Sequence, residues 1–193
     1  VTTPGGTSAT SAADQYTYIA APTVTSVSPI AGPTSGGTTV TITGSGFSAA
    51  SPTGAVKFGA TNATYTINSN TQITATSPAR PAGTYDITVA TPGGTSATSA
   101  SDQFTFVAPP VANSFTASAV AYNAASVNFS VAGHATNSPT NFAVGSATTA
   151  QGGSVSIDSA GLVTYTAPTG FRGNDSFTFT ATNLGGTSAP ATT

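Results

Sequence analysis

The chain of 193 residues contains no cysteine, no methionine, no tryptophan and no glutamate. The missing cysteine excludes disulfides, thiol nucleophiles and thiolate metal sites. Charge is scarce: Asp, Glu, Lys and Arg make up 4% of the residues, against about 25% in ordinary soluble domains. The bases are Lys57, Arg80 and Arg172. Three cations cannot neutralise a useful number of phosphates, which argues against nucleic acid as a partner. The acids are Asp14, Asp86, Asp102, Asp158 and Asp175, scattered along the chain. No run approaches the ~20 apolar residues of a membrane-spanning helix, so no transmembrane segment is expected. Leucine occurs only at Leu162 and Leu184, and no stretch has the spacing of an amphipathic helix. With no initiator methionine and no leader, the chain reads as an internal or processed piece of a longer protein.

What is present is β-branched, aromatic and small. Thr39-Val-Thr-Ile-Thr43 alternates with period two and places Val40 and Ile42 on one face. The same alternation recurs at Tyr85/Ile87/Val89, Phe104/Phe106, Val127/Phe129/Val131, Val155/Ile157, Val163/Tyr165 and Phe177/Phe179. One apolar face and one Thr/Ser/Asn face describe half-buried antiparallel strands. Short strands punctuated by Gly, Pro and Asn predict an all-β fold of tandem immunoglobulin-like β-sandwiches.

A repeat sets the organisation. Residues 1–22 and 89–110 are identical at 16 of 22 positions, at an offset of 88 residues. That period is one small β-domain rather than one solenoid turn. Residues 1–21 therefore read as the terminal strand of a preceding domain, 22–108 as a complete domain and 109–193 as a further one that lacks its last strand. Ala20-Ala-Pro22 and Ala108-Pro-Pro110 mark the joints. Proline fixes φ and gives short, fairly stiff connections.

The middle unit carries Val27-Ser-Pro29, Gly32-Pro33-Thr-Ser-Gly36-Gly37, Gly44-Ser-Gly46-Phe47, Val56-Lys-Phe58-Gly59 and Gly83-Thr-Tyr85. It closes with Asp102-Gln-Phe-Thr-Phe106. Across nearly its whole length this resembles the IPT/TIG family of immunoglobulin-like domains. Gly36, Gly37, Gly44 and Gly46 are expected to supply positive φ at turns and bulges. Phe47, Phe58, Phe104 and Phe106 are the expected core. The resemblance implies a sandwich used as a spacer, dimerisation or interaction module, so function has to be argued separately. The last unit, through Gly153–Pro168 and Gly170–Thr182, is similar to bacterial immunoglobulin-like or cadherin-like repeats of large surface proteins. Related repeats often bind calcium through aspartates. Here Asn183 stands where such an aspartate is expected, and no cofactor or metal is assigned.

The chemical inventory is thin. His134 is the one histidine, in a loop-like Ala-Gly-His-Ala-Thr stretch without a nucleophile elbow. Asp158 and Asp175 are the pair best able to meet, but Asp158 is expected to start a hairpin turn. Asp14 and Asp102 occupy equivalent repeat positions and are expected to cap. An isopeptide bond at Lys57 needs a buried acid, for which this domain offers only Asp86 and Asp102, and Lys57 reads as a surface lysine. Gly44-Ser-Gly46 has no helix after it, so it is no dinucleotide loop. The chain is not expected to be an enzyme.

The function expected is a structural or adhesive repeat module of a bacterial surface protein, located outside the cell, as stalk or fibre. The alternative is a non-catalytic accessory module, glycan-binding or spacer, of a secreted polysaccharide-acting enzyme. Expected partners are neighbouring copies of the chain or adjacent repeat domains, with a glycan or a host surface as further candidates. Asp14, Tyr16 and Tyr18 are the expected strand-pairing interface: residues 12–19 read as a closing strand with no domain to close, and a free strand fits an open sheet edge.

Overall fold

The computed structural model describes residues 1–50, 55–122 and 125–193. No α-helix occurs among them; four single-turn 3-10 segments interrupt an otherwise β chain.

The middle unit is a sandwich of two sheets. One runs in the spatial order Thr23–Ser28, Thr39–Ser45, Gln72–Thr76, Thr64–Ser69, all antiparallel. The other runs Ala31–Pro33, Gln103–Val107, Gly83–Thr91, Val56–Phe58, Thr61–Asn62. Its pairs are antiparallel except Ala31–Pro33, which lies parallel to Gln103–Val107. The alternation in Thr39-Val-Thr-Ile-Thr43 has the expected result: Val40 and Ile42 are fully buried while Thr39 and Thr43 face solvent. Fully burying a side chain of that size contributes ~1.5–3 kcal/mol, so a one-residue slip of this strand would forfeit both contributions at once.

Val24, Val27, Val40, Ile42 and Ile73 from the first sheet meet Val56, Phe58, Ile87, Val89, Phe104 and Phe106 from the second. The phenylalanines form an edge-to-face cluster, Phe58–Phe104 at 5.3 Å and Phe104–Phe106 at 4.9 Å between ring centroids. Phe47, on a 3-10 turn, plugs the same core. Arg80 staples the second sheet from its edge. Its Nη1 donates to the Phe58 carbonyl and to Thr61 Oγ1, and its guanidinium lies 3.9 Å over the Tyr85 ring.

Of the four expected turn glycines, Gly36, Gly37 and Gly46 have positive φ, at 75°, 86° and 78°. Gly44 does a different job. It sits inside the strand Thr39–Ser45, opposite the bulge between Val24 and Ser26. A Cβ there would overlap the Thr23 carbonyl oxygen and stand 2.6 Å from the Phe47 ring. Gly44 is thus selected by close approach of backbone and ring rather than by its own dihedrals.

The last unit is a smaller sandwich. Val127–Ser130, Leu162–Thr166 and Ser154–Ile157 form one sheet, in that order. Asn141–Val144, Thr178–Asn183 and Gly186–Thr187 form the other. Val131, Phe142, Val155, Val163, Phe177 and Phe179 fill the space between them. The edge expected to be bare is covered in part: Ala191–Thr192 pairs antiparallel with Phe179 and Thr178, and Thr193 and Phe177 exchange both backbone bonds at 3.0 and 3.1 Å.

Residues 1–18 make a two-stranded hairpin, Thr2–Thr3 with Gly6–Thr7, followed by a 3-10 turn at Ala12–Asp14. The stretch expected as a closing strand, 12–19, begins with that turn. Beyond it the backbone is extended at Gln15 and pairs with no strand among the described residues.

Candidate functional site

The Ser-x-x-Asp spacing at 11–14 and 99–102 builds the same device twice. Each aspartate accepts from the backbone of its own serine, Ser11 N to Asp14 Oδ1 at 2.7 Å and Ser99 N to Asp102 Oδ2 at 2.6 Å. Each serine Oγ accepts in return from a backbone amide of the turn, Ala13 N at 3.3 Å and Ser101 N at 3.2 Å. This reciprocal capping box rigidifies the entry to the strand that follows. After the second box that strand enters the middle core, with Phe104 and Phe106 buried. After the first, Tyr16 and Tyr18 stand 79% and 89% exposed. Their rings are nevertheless paired edge to face at 4.9 Å, the separation found for Phe104 and Phe106. Asp14, Tyr16 and Tyr18 thus repeat the local geometry of Asp102, Phe104 and Phe106 in an exposed segment.

A second construction lies at the joints. The Gly-Gly-Thr-Ser hairpin tips at 93–96 and 185–188 each receive a chain entering their domain. A Cβ on Gly93 would fall 2.5 Å from the Ile19 carbonyl oxygen and closer still to that of Ala20. A Cβ on Gly185 would fall 2.5 Å from the Ala108 carbonyl oxygen and closer still to that of Val107, the last residue of the Gln103–Val107 strand. Only glycine admits the linker at this distance. Ser96 and Ser188 stabilise the two hairpins alike, accepting from Val89 N at 3.1 Å and Ala181 N at 3.0 Å.

Asn183 belongs to the joint. It is buried, with Nδ2 donating to the carbonyls of Ala108 at 3.0 Å and Asn137 at 2.6 Å, and Oδ1 accepting from Gly185 N at 2.7 Å. Asn137 in turn donates to the Pro109 carbonyl at 2.8 Å. Sequence reasoning weighed Asn183 against a calcium pattern and passed over Asn137. The available signal was the position of Asn183 two residues before a repeated Gly-Gly-Thr-Ser, where the middle unit has Thr91.

The remaining polar candidates are occupied structurally. Asp158 Oδ1 accepts from Ala160 N at 2.9 Å and Leu162 N at 2.8 Å, an Asx-type turn. Asp175 accepts from Thr149 Oγ1, Tyr165 Oη, Gln151 N and Ser176 N. Burial by itself would raise the Asp175 carboxyl; the four hydrogen bonds outweigh it and hold the carboxyl below its usual range. Tyr165 is pushed up to about 12, by burial first and then by its bond to, and the charge of, Asp175. His134 stacks flat on Phe115 at 3.6 Å. Arg172 lies 3.9 Å over the Tyr122 ring, and Lys57 is exposed on a strand between Thr88 and Asn62. Among the described residues, no three His, Cys, Asp or Glu side chains gather to hold a metal. No helix among them is long and apolar enough to cross a membrane.

The face of the first middle sheet away from the core is paved with short polar side chains. Cross-strand register aligns Thr39, Thr76 and Thr64 in one row and Ser28, Thr41, Thr74 and Thr66 in the next. No aromatic ring or charge interrupts these rows.

The fold defines the class: tandem immunoglobulin-like β-sandwiches preceded by a short hairpin and a 3-10 turn. Comparison with protein families makes the assignment particular. The IPT/TIG domain model matches residues 22–106 and the bacterial Ig domain model matches residues 107–193. The chain carries one domain of each family, in that order, and both families are non-catalytic immunoglobulin-like domains. No curated protein sequence matches it. Among solved structures, it is similar to a gamma-CGTase from alkalophilic Bacillus clarkii, with 21% identity and a TM-score of 0.39 over 86% of this chain and 24% of that one. It is similar to the plexin A4 extracellular region, with 16% identity and a TM-score of 0.42 over 92% of this chain and 18% of that one. It is also similar to SGBP-B from a xyloglucan utilization locus in Bacteroides uniformis, with 21% identity and a TM-score of 0.35 over 87% and 48%. The chain thus spans less than half the length of each.

Proposed function

We propose that the chain is a non-catalytic structural module of a bacterial extracellular or surface protein, a stalk or fibre segment that continues into its neighbours by strand pairing. The observation that carries this reading is the doubled capping box. Ser11–Asp14 with Tyr16 and Tyr18 has the form of Ser99–Asp102 with Phe104 and Phe106, yet its aromatic rings lie in solvent. Two exposed tyrosines on one face of an ordered segment gain most by entering a sandwich edge, as their counterparts do. The polar inventory supports the non-catalytic part. The one histidine is stacked on a phenylalanine, and Asp158 and Asp175 are spent on turn and loop amides.

The host is either the preceding domain of one long polypeptide or a second subunit. In the second case copies join head to tail into an open fibre. Sedimentation of the chain, with and without residues 1–20, decides between them. Concentration-dependent association that vanishes on deletion supports pairing between subunits. Association unchanged by the deletion, or none in either form, ends that version and leaves pairing within one polypeptide. A polysaccharide retained by the chain at micromolar affinity would replace the structural reading with the accessory-module reading.

A further inference from the structure

Every domain in this chain that receives a linker seats it on the same hairpin, but the two seats are not equivalent. In the middle unit Thr91 pairs with Gly94, and its Oγ1 accepts from Gly93 N at 3.2 Å. In the last unit Asn183 pairs with Gly186, and its Oδ1 accepts from Gly185 N at 2.7 Å. The two glycines after them share a φ of 128°. Thr91 and Asn183 are thus one position performing one task, the closure of the hairpin tip. Asparagine brings something that threonine cannot, a second functional group with two N–H donors.

Both donors are spent on the joint. One reaches the carbonyl of Ala108, directly after the last strand of the preceding domain; the other reaches the Asn137 carbonyl. Asn137 and Ser138 have φ of 60° and 49°, the only non-glycine residues with positive φ among the described residues. Such backbone persists where surrounding contacts over-determine it. Here it turns the Asn137 amide onto the Pro109 carbonyl. The entering chain is then held by backbone bonds, Thr136 N to Val111 O at 3.0 Å and Asn113 N to His134 O at 2.8 Å. Toward the preceding domain, the Val107 carbonyl accepts from Thr34 N at 3.1 Å, so the segment is fastened at both ends. The linker at Ile19–Ala20, by contrast, meets Gly93, and the Thr91 hydroxyl is spent within its own hairpin, on Gly93 N and the Gly94 carbonyl.

We infer that Asn183 and Asn137 form a clasp that fixes the angle between the IPT/TIG domain and the bacterial Ig domain, by which one domain's hairpin holds the residues that directly follow the other's exit strand. The clasp makes this joint a rigid elbow. It deepens the spacer reading and rests on it for its purpose: a stalk segment that transmits direction needs joints of set angle. A seat built on glycine alone leaves the linker free to pivot.

The natural absence of cysteine makes the test direct. The pair Thr76→Cys and Ser156→Cys puts one spin label on an exposed strand position of each domain, and double electron–electron resonance reads the distance distribution in the full chain. One narrow distance is expected for the otherwise unaltered protein. Asn183→Thr keeps the acceptor for Gly185 and deletes both donors, copying the middle unit; at least a doubling of the width is expected. Asn137→Gly accepts the positive φ without strain and removes only the bond to Pro109, so it tests the clasp should Asn183→Thr disturb folding. Broadening in either variant, with the melting of both domains retained, supports the clasp. A distribution already broad in the unaltered chain, or unchanged widths in both variants, overturns it. Equal widths would leave the spacer reading intact; capture of a polysaccharide would end that reading and leave the distances where they are.

Discussion

The Oη of Tyr165 donates to Oδ2 of Asp175 at 2.9 Å, tying the Leu162–Thr166 strand to the segment that leads into Thr178–Asn183. Three further donors converge on the same carboxylate, from Thr149, Gln151 and Ser176. The group joins both sheets of the last domain, and its protonation is coupled to folding.

The sign follows from the direction of each shift. The folded Asp175 carboxyl titrates below its ordinary 3.8, so its stabilisation is fully present above that value and is lost as pH falls through the lower, folded one. Tyr165 is raised from 10.0 to about 12; its stabilisation is present below pH ~10 and disappears as pH climbs to about 12. Urea midpoints of the last domain are expected to be flat between these limits and to decline on both sides. Asp175→Asn should remove this carboxylate's share of the acid limb and cost about 2–3 kcal/mol at neutral pH, because it replaces hydrogen bonds to a charged acceptor. A midpoint at pH 7 within error of the unaltered chain would contradict the assignment.

The two sandwiches have separate cores, Phe58 at the centre of one and Phe179 in the other. Phe58→Ala removes a fully buried ring in contact with Phe104 and Phe106. The expected loss is about 3–5 kcal/mol, confined to the middle domain. Scanning calorimetry should show the middle transition moving down and the other staying within a few degrees. Equal displacement of both transitions would mean that the domains unfold as one unit.

The fold was legible where one physical effect dominates. Val40, Ile42, Phe104 and Phe106 announce their strands because burial on one face forces period two, and all four are buried. Gly36, Gly37 and Gly46 could be read as positive-φ residues from the turn chemistry around them. Legibility ended where a residue acts through the tertiary structure. Gly44 looks like its neighbour Gly46 in sequence, and only the approach of Thr23 and Phe47 separates their roles. The caps at Asp14 and Asp102 are legible from their equivalent repeat positions, but the stretch 12–19 opens with a 3-10 turn at Ala12–Asp14 where a strand is expected, because the cap on Ser11 closes that turn first. Asn183 was measured against a metal-binding pattern, whereas its partners come from Ala108 and Asn137, which no local pattern connects to it.

Removal of divalent cations should leave the protein unchanged. The last domain holds the aspartates best placed for calcium, yet Asp158 Oδ1 is spent on backbone amides of its own turn and Asp175 on four donors. Donors crowding a carboxylate occupy the lone pairs that a hard cation needs. Melting curves with and without a chelator should superimpose within about one degree. A downward shift of the last domain's transition that calcium restores would refute this, and would point to rearrangement of the Asp175 loop in solution.

Asp14 and Asp102 offer the sharpest comparison, being one capping device in two settings. Asp102 is fully buried, its Oδ2 accepts from Ser99 N and Ser99 Oγ, and its Oδ1 has no partner. Asp14 makes the same bond to its serine in full solvent. Asp102→Ala should therefore cost the middle domain about 1.5–3 kcal/mol, the worth of hydrogen bonds to a charged acceptor. Asp14→Ala should leave the melting of the free chain untouched, since residues 12–18 are all exposed. Where residues 12–19 enter a neighbouring sandwich, the loss reappears as weaker association. About 1 kcal/mol there corresponds to roughly fivefold in the dissociation constant. Melting and sedimentation of the two variants side by side measure both quantities. If Asp14→Ala lowers the melting temperature of the monomer as Asp102→Ala does, the segment docks on its own chain, and the tyrosines are not available to a neighbour.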